Sequence, residues 1–439
     1  MKQTKIVVIG GGSSYTPELI EGLIERSQSL SLKEVWLCDL ESGRDKLNII
    51  VNLTERMLKK AGNPFKVYST FNRREAIEGA DYVITQIRVG QLEMRRQDEY
   101  IPIKHGLIGQ ETTGAGGFMK ALRTIPVILD ICRDIEELSP NAWLLNFTNP
   151  AGVVTEAVLK YTSVKSVGLC NNPINFYKKF AEYYNVPMDS VSIDFVGINH
   201  LNWIVDYFID GESKINDVLD GKKKTFEAKN IPAFDWDLTF LKSLSAIPSG
   251  YHRYYYQTEK ILNQQKDEYE RGYTRADQVK QIENDLFKTY ADSSVETKPK
   301  ELEKRGGAYY SEAAVNLIHS IHTNSGKVHT LNVLNNGAIS TLPNDSCIEI
   351  NCVVEKHRVT PIKVNEDKIT PQIRGLLQVV NAYEELTVEA AVHGDRGKAI
   401  QALTIHPLVG SFESAAPLFD ELIEVNREYL SQFYEKGNS

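Results

Sequence analysis

Short runs of consecutive apolar residues alternate with amphipathic segments along the first part of the chain. The runs occupy residues 5–9, 34–39, 80–86 and 142–147. They are rich in Val, Ile and Leu, which is typical of strands buried on both faces of a parallel sheet. Between them, apolar residues recur at helical spacing, in the segments 16–24, 48–60 and 125–135. The pattern predicts an α/β fold in which helices cover a parallel sheet.

Three glycines and two serines separate the first predicted strand from the first predicted helix. Thr16 suits the cap of that helix, and Pro17 suits its first turn. Glycines at this place permit a tight turn and close approach of the backbone to a pyrophosphate, which then lies at the helix N-terminus. The candidate cofactor-binding residues of this loop are Gly10, Gly12, Ser13 and Ser14.

The second predicted strand ends in an acid, Asp39. An acid at this position can accept hydrogen bonds from both ribose hydroxyls and disfavours a 2′-phosphate, so NAD is favoured over NADP. The alternative is a glycine turn in another kind of α/β protein. The order of strand, turn, helix, strand and terminal acid favours a dinucleotide-binding, Rossmann-type domain.

Cys170 and His200 each follow an apolar run that resembles the end of a buried strand. A thiolate and an imidazole from two strand ends could hold a divalent metal and leave positions open for substrate. A closed zinc site would need four ligands, and the sequence contains no CxxC pair. The alternative is that Cys170 is only a small buried apolar residue.

Other polar residues lie near predicted strand ends. Arg88, Arg95 and Arg96 follow the strand at 80–86, where they could bind an anionic substrate or form a solvated basic face. The segment 106–117 is too polar and glycine-rich for a core and predicts a loop against a ligand, with Glu111 as a candidate substrate-binding residue. Asn149 would project toward the cofactor crevice.

The pattern changes after about residue 200. Charged helices become frequent, and the tyrosines of 251–256 are more typical of packing than of catalysis. A surface helix is predicted over 267–280, with Arg271 and Arg275 on one face. Segments 327–334 and 347–355 predict antiparallel strands, and 372–393 and 418–434 predict long helices. We predict a Rossmann-like domain over 1–170 and an interlocked α+β domain over 171–439.

Composition narrows the functional classes. The chain has 439 residues and a formal net charge of −8, which disfavours a nucleic-acid surface. It has no apolar run long enough for a membrane span and begins without a signal-peptide pattern. Five irregularly spaced cysteines are typical of free thiols in a reducing cytoplasm, so we expect a cytoplasmic protein without disulfides.

Seven motifs together resemble glycoside hydrolase family 4, in its 6-phospho-β-glucosidase branch. They are VIGGGSSYTPE at 8–18, RRQDE at 95–99, GQETTG at 109–114, NFTNP at 146–150, CNNP at 170–173, GINH at 197–200 and YHRYY at 251–255. The resemblance spans nearly the whole chain. It implies a fold similar to lactate and malate dehydrogenases, and a requirement for NAD and a divalent metal, usually manganese.

The resemblance also implies a redox route to glycoside cleavage, an exception to the paired-carboxylate mechanism. NAD takes hydride from carbon 3 of the sugar, and a base removes the acidified proton on carbon 2 while the metal acts as a Lewis acid. The aglycone leaves, water adds, and hydride returns, so NAD is regenerated. Cys170 and His200 match the family's metal ligands, and Tyr251 matches its proposed base. Asn149 would contact the sugar, while Arg95 and Arg275 would contact the phosphate.

Asn171 marks a departure from part of the family. The α-glucosidase members resemble Cys-Asp here, with the Asp proposed as leaving-group acid, so Asn171 supports the β branch. It cannot donate a proton as an acid and is expected to orient the substrate. His252 and Glu111 are candidate helpers in protonating the leaving group.

The expected substrates are phosphorylated disaccharides such as cellobiose 6-phosphate, or aryl 6-phospho-β-glucosides, and the expected assembly is a homodimer or homotetramer. Two alternatives stay open: an NAD-dependent 2-hydroxy-acid dehydrogenase and a non-catalytic NAD sensor. The aglycone, the physiological metal and the choice between glucoside and galactoside are left undecided.

Overall fold

The computed structural model describes residues 3–223, 236–305 and 309–434. Its strands are β1 (Thr4–Ile9), β2 (Leu32–Cys38), β3 (Lys66–Thr70), β4 (Tyr82–Thr85), β5 (Trp143–Asn146), β6 (Lys165–Gly168), β7 (Val191–Ile198), β8 (Leu201–Ile209), β9 (Glu212–Ser213), β10 (Ile247–Pro248), β11 (Val328–Leu334), β12 (Cys347–Val354) and β13 (Val359–Pro361). Each apolar run of the amino-terminal part forms a strand, as predicted.

The helices begin and end as follows: α1 (Thr16–Arg26), α2 (Arg44–Lys60), α3 (Arg73–Ile77), α4 (Gln91–Lys104), α5 (Gly114–Leu138), α6 (Ala151–Tyr161), α7 (Asn172–Tyr184), α8 (Ile215–Leu219), α9 (Leu238–Leu244), α10 (Arg253–Tyr256), α11 (Thr258–Glu270), α12 (Arg275–Ala291), α13 (Leu302–Arg305), α14 (Tyr310–Thr323), α15 (Pro371–His393), α16 (Arg396–Ile405), α17 (Phe412–Val425) and α18 (Ser431–Tyr434). In the described part of the chain, none is both long and apolar enough to cross a membrane.

The central sheet has the order β13-β12-β11-β6-β5-β4-β1-β2-β3. Strands β1 to β6 run parallel, in the order of the doubly wound nucleotide-binding fold. The order reverses between β1 and β4, so the loops that follow these strands border a crevice. Ligands of open α/β sheets bind in such a crevice. The strand order confirms the predicted fold class.

Strands β11 to β13 extend this sheet with antiparallel strands. Asn332 of β11 pairs with Gly168 of β6, and β12 pairs along the whole of β11. The antiparallel pairing predicted for 327–334 and 347–355 is therefore confirmed. These strands lie in the predicted second domain but extend the sheet of the first, so one sheet contains strands from both sides of residue 170. The domain boundary after residue 170 stays a prediction.

A second sheet contains the hairpin of β7 and β8, flanked by β9 and β10. Ile198 pairs with Leu201, so Asn199 and His200 form a two-residue turn at the hairpin tip. His200 has a left-handed φ of 62°. The turn delivers the His200 side chain to the carboxyl end of β6, beside Cys170.

The surface helix predicted over 267–280 is wrong. Helix α11 ends at Glu270, and α12 begins at Arg275 behind a capping box formed by Thr274 and Asp277. Arg271 and Arg275 therefore do not share a helix face, because they lie on either side of this break. The helix predicted over 418–434 is also interrupted, since α17 ends at Val425.

Two predicted helix starts are displaced. Thr16 is the first residue of α1 rather than its cap, because its hydroxyl donates to the carbonyl of Gly11 at 2.8 Å. The loop predicted over 106–117 ends early, since α5 begins at Gly114. A Cβ on Gly116 would lie 2.4 Å from the carbonyl oxygen of Asp98, so this glycine permits close packing of α5 on α4.

Candidate active site

A cavity of about 1380 Å³ opens at the carboxyl ends of β1, β4, β5 and β6. It exceeds the usual size of a single small-molecule pocket. The structure brings all thirteen candidate residues to its wall: Gly10, Gly12, Ser13, Ser14, Asp39, Arg95, Glu111, Asn149, Cys170, Asn171, His200, Tyr251 and Arg275. Their individual roles stay predictions, but their convergence on one cavity fits a site that holds a nucleotide and a second ligand together.

The glycine loop forms a close-fitting turn at the first strand end. Gly10 has a φ of +90°, and a Cβ on it would lie 2.8 Å from the carbonyl oxygen of Gln86. Gln86 fixes the turn by donating from its side-chain amide to the carbonyl of Gly10 at 3.1 Å and to the Thr16 hydroxyl at 2.8 Å. The loop therefore presents its backbone to the cavity before any ligand binds, as a pyrophosphate cradle requires.

Asp39 lies against this loop at the end of the second strand. One carboxylate oxygen accepts the Gly12 amide at 2.7 Å, and the other accepts the Leu40 amide at 2.8 Å. Burial raises the pKa of Asp39, while these two amide bonds act in the opposite direction. The carboxylate is thus held at the place where the sequence predicts ribose recognition.

Cys170 and His200 face each other across the cavity wall, with 3.7 Å between Sγ and Nε2. His200 Nδ1 lies 2.9 Å from the hydroxyl of Thr112. That hydroxyl donates to Oε1 of Gln110, which also accepts the Thr112 backbone amide. This arrangement favours acceptance by Thr112 from His200, which places the proton on Nδ1 and directs the lone pair of Nε2 toward Cys170.

The electrostatics of this pair suit a bound cation. Burial lowers the pKa of His200 to about 3, so the imidazole is neutral at physiological pH. Burial, followed by the charge of Glu349, raises the pKa of the Cys170 thiol. A nearby divalent cation reverses that shift and binds the thiolate. The described residues contain no cluster of three or more His, Cys, Asp or Glu side chains suited to a metal, so this pair is a half-site open to the cavity.

Tyr251 covers the imidazole from the other side. Its ring stacks on His200 with 3.8 Å between centroids and an angle of 8°. Burial raises the pKa of Tyr251 well above its ordinary value.

His252, by contrast, packs on Trp203 in the core, and its Nδ1 lies 3.2 Å from the hydroxyl of Ser249. It does not line the cavity, so its suggested help to the leaving group finds no support.

Glu111 is the centre of a buried ion-pair cluster. Its carboxylate pairs with Arg88, with Arg95 at 2.9 Å and with Lys120 at 2.9 Å. Despite burial, these cations hold the pKa of Glu111 well below its usual range. An ionised carboxylate has no proton to donate, so the structure opposes the suggestion that Glu111 protonates a leaving group.

Lys120 is a cavity residue that the sequence reasoning missed. Its side chain is 3% exposed, and burial, followed by the charge of Arg88, lowers its pKa to about 7. On α5, Lys120 lies about one helical turn after Gly116 and Gly117. A lysine among apolar helix residues was a signal that could have identified it.

Replacing Glu111 by glutamine is expected to lower the free energy of unfolding by about 3–5 kcal/mol, because the buried cations of Arg95 and Lys120 and the partly buried Arg88 lose their partner. Urea unfolding measures the change. The deficit should shrink as pH falls below about 4.5, since a carboxylate with a lowered folded pKa stabilises the protein above its unfolded pKa and loses that effect in acid. The control variant is Glu182→Gln, which breaks an ion pair with Lys179 at the surface. Its free energy of unfolding should change far less.

Two further arginines lie near Arg95. Arg275 lines the cavity, and burial together with the charges of Arg95 and Arg305 lowers its pKa. The guanidinium of Arg305 donates to the hydroxyl of Tyr15 at 3.1 Å. Arg95 already pairs with Glu99 and Glu111, and Arg305 pairs with Glu283, so carboxylates offset part of the positive charge here. Phosphate binding by Arg95 and Arg275 stays a prediction.

The fold and the cavity are those of a Rossmann-type α/β protein whose nucleotide-binding edge opens onto a Cys–His half-site. Two models of the family 4 glycosyl hydrolases match the chain: the family model over residues 5–186 and its C-terminal domain over residues 195–409. The chain therefore belongs to glycosyl hydrolase family 4, and the resemblance seen in the sequence is confirmed.

Relatives and solved structures support the same placement. A probable 6-phospho-β-glucosidase of Bacillus subtilis is 48% identical over 439 residues, covering 99% of each chain. The structure of the Thermotoga maritima 6-phospho-β-glucosidase with NAD and glucose-6-phosphate has a TM-score of 0.88 at 38% identity, covering 98% of this chain and 99% of that one. A second structure of that enzyme contains manganese, NAD⁺ and glucose-6-phosphate, with a TM-score of 0.87 at 37% identity, covering 97% of this chain and 99% of that one.

The predicted likeness to dehydrogenases also holds for the fold. A lactate dehydrogenase from a deep-sea metagenome library has a TM-score of 0.55 at 14% identity, covering 89% of this chain and all of that one. At this identity the likeness concerns the fold alone.

Proposed function

We propose that this protein hydrolyses 6-phospho-β-glucosides, such as cellobiose 6-phosphate, to glucose 6-phosphate and an aglycone, using NAD and a divalent metal such as Mn²⁺. The observation that carries the proposal is the placement of the Cys170–His200 pair in the cavity bordered by the glycine loop. The similarity to 6-phospho-β-glucosidases over nearly the whole chain supports the substrate class.

When bound, NAD supplies reversible hydride exchange at carbon 3 of the sugar, and the metal supplies Lewis acidity. The chain's own residues hold these groups and the substrate together. The glycine loop and Asp39 bind the dinucleotide, while Cys170 and the Nε2 lone pair of His200 bind the metal. Tyr251 removes the proton on carbon 2, which the oxidation next to it has made acidic.

The remaining cavity residues bind and orient the substrate. Arg95 and Arg275 bind the phosphate, since the guanidinium fork matches its geometry. Asn149 and Asn171 orient the sugar through hydrogen bonds. The amide of Asn171 does not transfer protons near neutral pH, so it contributes to orientation rather than to acid catalysis.

We expect aryl 6-phospho-β-glucoside hydrolysis only when both NAD and Mn²⁺ are present. The test uses protein stripped of metal and nucleotide, to which NAD and Mn²⁺ are returned separately and together. Release of the chromogenic aryl group is followed alongside NADH absorbance. Because hydride returns to the sugar in each turnover, no net NADH should accumulate. Equal activity without NAD would contradict the redox mechanism.

The same assay separates the alternatives. Activity on the α anomer but not on the β anomer would keep the mechanism and overturn the interpretation of Asn171. Net NADH formation with a 2-hydroxy acid would favour a dehydrogenase, and NAD binding without turnover would favour a sensor. The unphosphorylated aryl β-glucoside is the matched control for phosphate recognition, and the galactoside epimer tests preference at carbon 4.

We also propose a cytoplasmic location and a homodimeric or homotetrameric state. The location is supported by five cysteines that are all free. Light scattering of the purified protein tests the assembly.

A further inference from the structure

Behind the Cys170–His200 pair lies a buried carboxylate that does not reach the cavity. Glu349, on β12, is 1% exposed. It accepts hydrogen bonds from three asparagine amides: Asn199 at 3.0 Å, Asn332 at 3.0 Å, and Asn202. No cation pairs with Glu349 among the ion pairs of the described residues. A buried carboxylate bonded only to amides is costly, so its position calls for an explanation.

Two of these amides belong to residues that flank His200 in the hairpin of β7 and β8. Asn199 precedes His200 in the hairpin tip, and Asn202 lies two residues after it on β8. His200 has a φ of 62°, a conformation that glycine or asparagine usually adopts. Glu349 bonds to residues on both sides of His200, and so holds His200 in a backbone conformation that a histidine rarely takes.

The third amide connects Glu349 to the segment that carries Cys170. Asn332 pairs with Gly168, two residues before Cys170, and directly opposes Glu349 in the sheet. A Cβ on Gly168 would lie 2.8 Å from the Cβ of Asn332, so the two strands are in tight contact. Glu349 is thereby bonded directly to the hairpin that carries His200 and is linked through Asn332 to the strand that leads to Cys170.

We propose that Glu349 is a positioning residue for metal binding, which sets the separation and orientation of Cys170 and His200 through the amides of Asn199, Asn202 and Asn332. The inference rests on the proposed function, because it concerns the metal half-site described there. Outer residues that orient metal ligands typically change metal affinity by about 10–100-fold when they are replaced.

The decisive variant is Glu349→Gln. It preserves size but sets its own amide against an asparagine amide, so that two donors face each other. We expect the Kd for Mn²⁺, measured by electron paramagnetic resonance with saturating NAD and glucose 6-phosphate, to rise about 10–100-fold. NADH affinity, measured by fluorescence, should stay within about twofold of wild type, because the glycine loop does not contact Glu349.

The double variant Glu349→Gln with Asn202→Asp provides a rescue. It exchanges donor and acceptor across one hydrogen bond and keeps one carboxylate in the network. The amide nitrogen of the introduced glutamine is the new donor, and the introduced aspartate is the new acceptor. The glutamine's amide oxygen still accepts from Asn199 and Asn332. We expect Mn²⁺ affinity to recover to within about threefold of wild type, a result that a general loss of packing around residue 349 would not produce.

Glu156→Gln is the matched control. Glu156 is fully buried and accepts the backbone amide of Cys347 on the same strand as Glu349, but has no contact with the His200 turn. The variant should lose thermal stability without losing Mn²⁺ affinity. Unchanged Mn²⁺ affinity in Glu349→Gln, or an equal loss of Mn²⁺ and NADH affinity, would overturn the inference. Failure of the wild-type protein to bind Mn²⁺ would contradict the proposed function itself, and the inference with it.

Discussion

Replacement of Cys170 by alanine is expected to lower kcat/KM for an aryl 6-phospho-β-glucoside by about 10³-fold or more. The structure places one thiol and one imidazole lone pair 3.7 Å apart at the cavity wall. With two protein ligands of this kind, loss of the thiolate leaves a single imidazole to hold the cation. Lewis acid stabilisation is worth several kcal/mol, and each 1.36 kcal/mol corresponds to a tenfold change in rate.

Three measurements separate this effect from a loss of folding. Mn²⁺ binding by electron paramagnetic resonance should be lost in Cys170→Ala, whereas NADH fluorescence titration and the melting temperature of the metal-free protein should change little. Cys132→Ala is the matched control, because Cys132 is a fully buried thiol on α5 outside the cavity wall. Retention of Mn²⁺-dependent activity within about tenfold of wild type would contradict the assignment of Cys170 as a metal ligand.

The parallel half of the fold could be predicted because its signals are local. Strands β1, β2, β4 and β5 are short apolar runs, and the glycine turn, the following helix and Asp39 occur in a fixed order. The edge strand β3 was not predicted, because its sequence KVYST is largely polar and exposed. The break at Arg271 was missed although its signals were present. Gly272 permits a left-handed turn after the first helix, and Thr274 with Asp277 forms a capping box that begins the second. The pattern of charged residues alone predicts one continuous helix.

The network around the candidate site could not be predicted in this way. Glu349 reaches Asn199 only because β11 and β12 add to the edge of β6, and no local pattern specifies which sheet a strand joins. Likewise, the loop around Glu111 was recognised as polar, but the convergence of Arg88 and Lys120 on its carboxylate depends on the packing of α5. Local sequence indicated which residues carry chemistry, while tertiary pairing decided what they contact.

The pKa of Tyr251 is shifted in the direction opposite to the one that a general base requires. A tyrosine has an ordinary pKa of about 10, and burial raises the pKa of Tyr251 further, so in the metal-free protein its hydroxyl keeps its proton. A base needs the opposite shift. The ring of Tyr251 stacks directly on His200, so its hydroxyl belongs to the surroundings of the half-site, where a divalent cation lowers the pKa of nearby acids. The proposed base is therefore active only when the metal is bound.

Tyr251→Phe removes the hydroxyl and keeps the ring that packs on His200. We expect kcat to fall by about 10²–10⁴-fold, the usual contribution of a general base, with Mn²⁺ and NADH affinities nearly unchanged. A selective measurement is exchange of the hydrogen on carbon 2 of glucose 6-phosphate for solvent deuterium, followed by nuclear magnetic resonance. Wild-type protein with NAD and Mn²⁺ should catalyse this exchange, and Tyr251→Phe should not.

Tyr255→Phe is the matched control for this prediction. Tyr255 is a nearby, partly buried tyrosine whose hydroxyl lies 3.5 Å from Nε2 of His406 and which does not line the cavity. The variant should keep both hydrolysis and exchange. If Tyr251→Phe exchanged the carbon 2 hydrogen at the wild-type rate, another group would have to be the base. Slow hydrolysis with normal exchange would instead place Tyr251 in a later step, after the proton on carbon 2 has been removed.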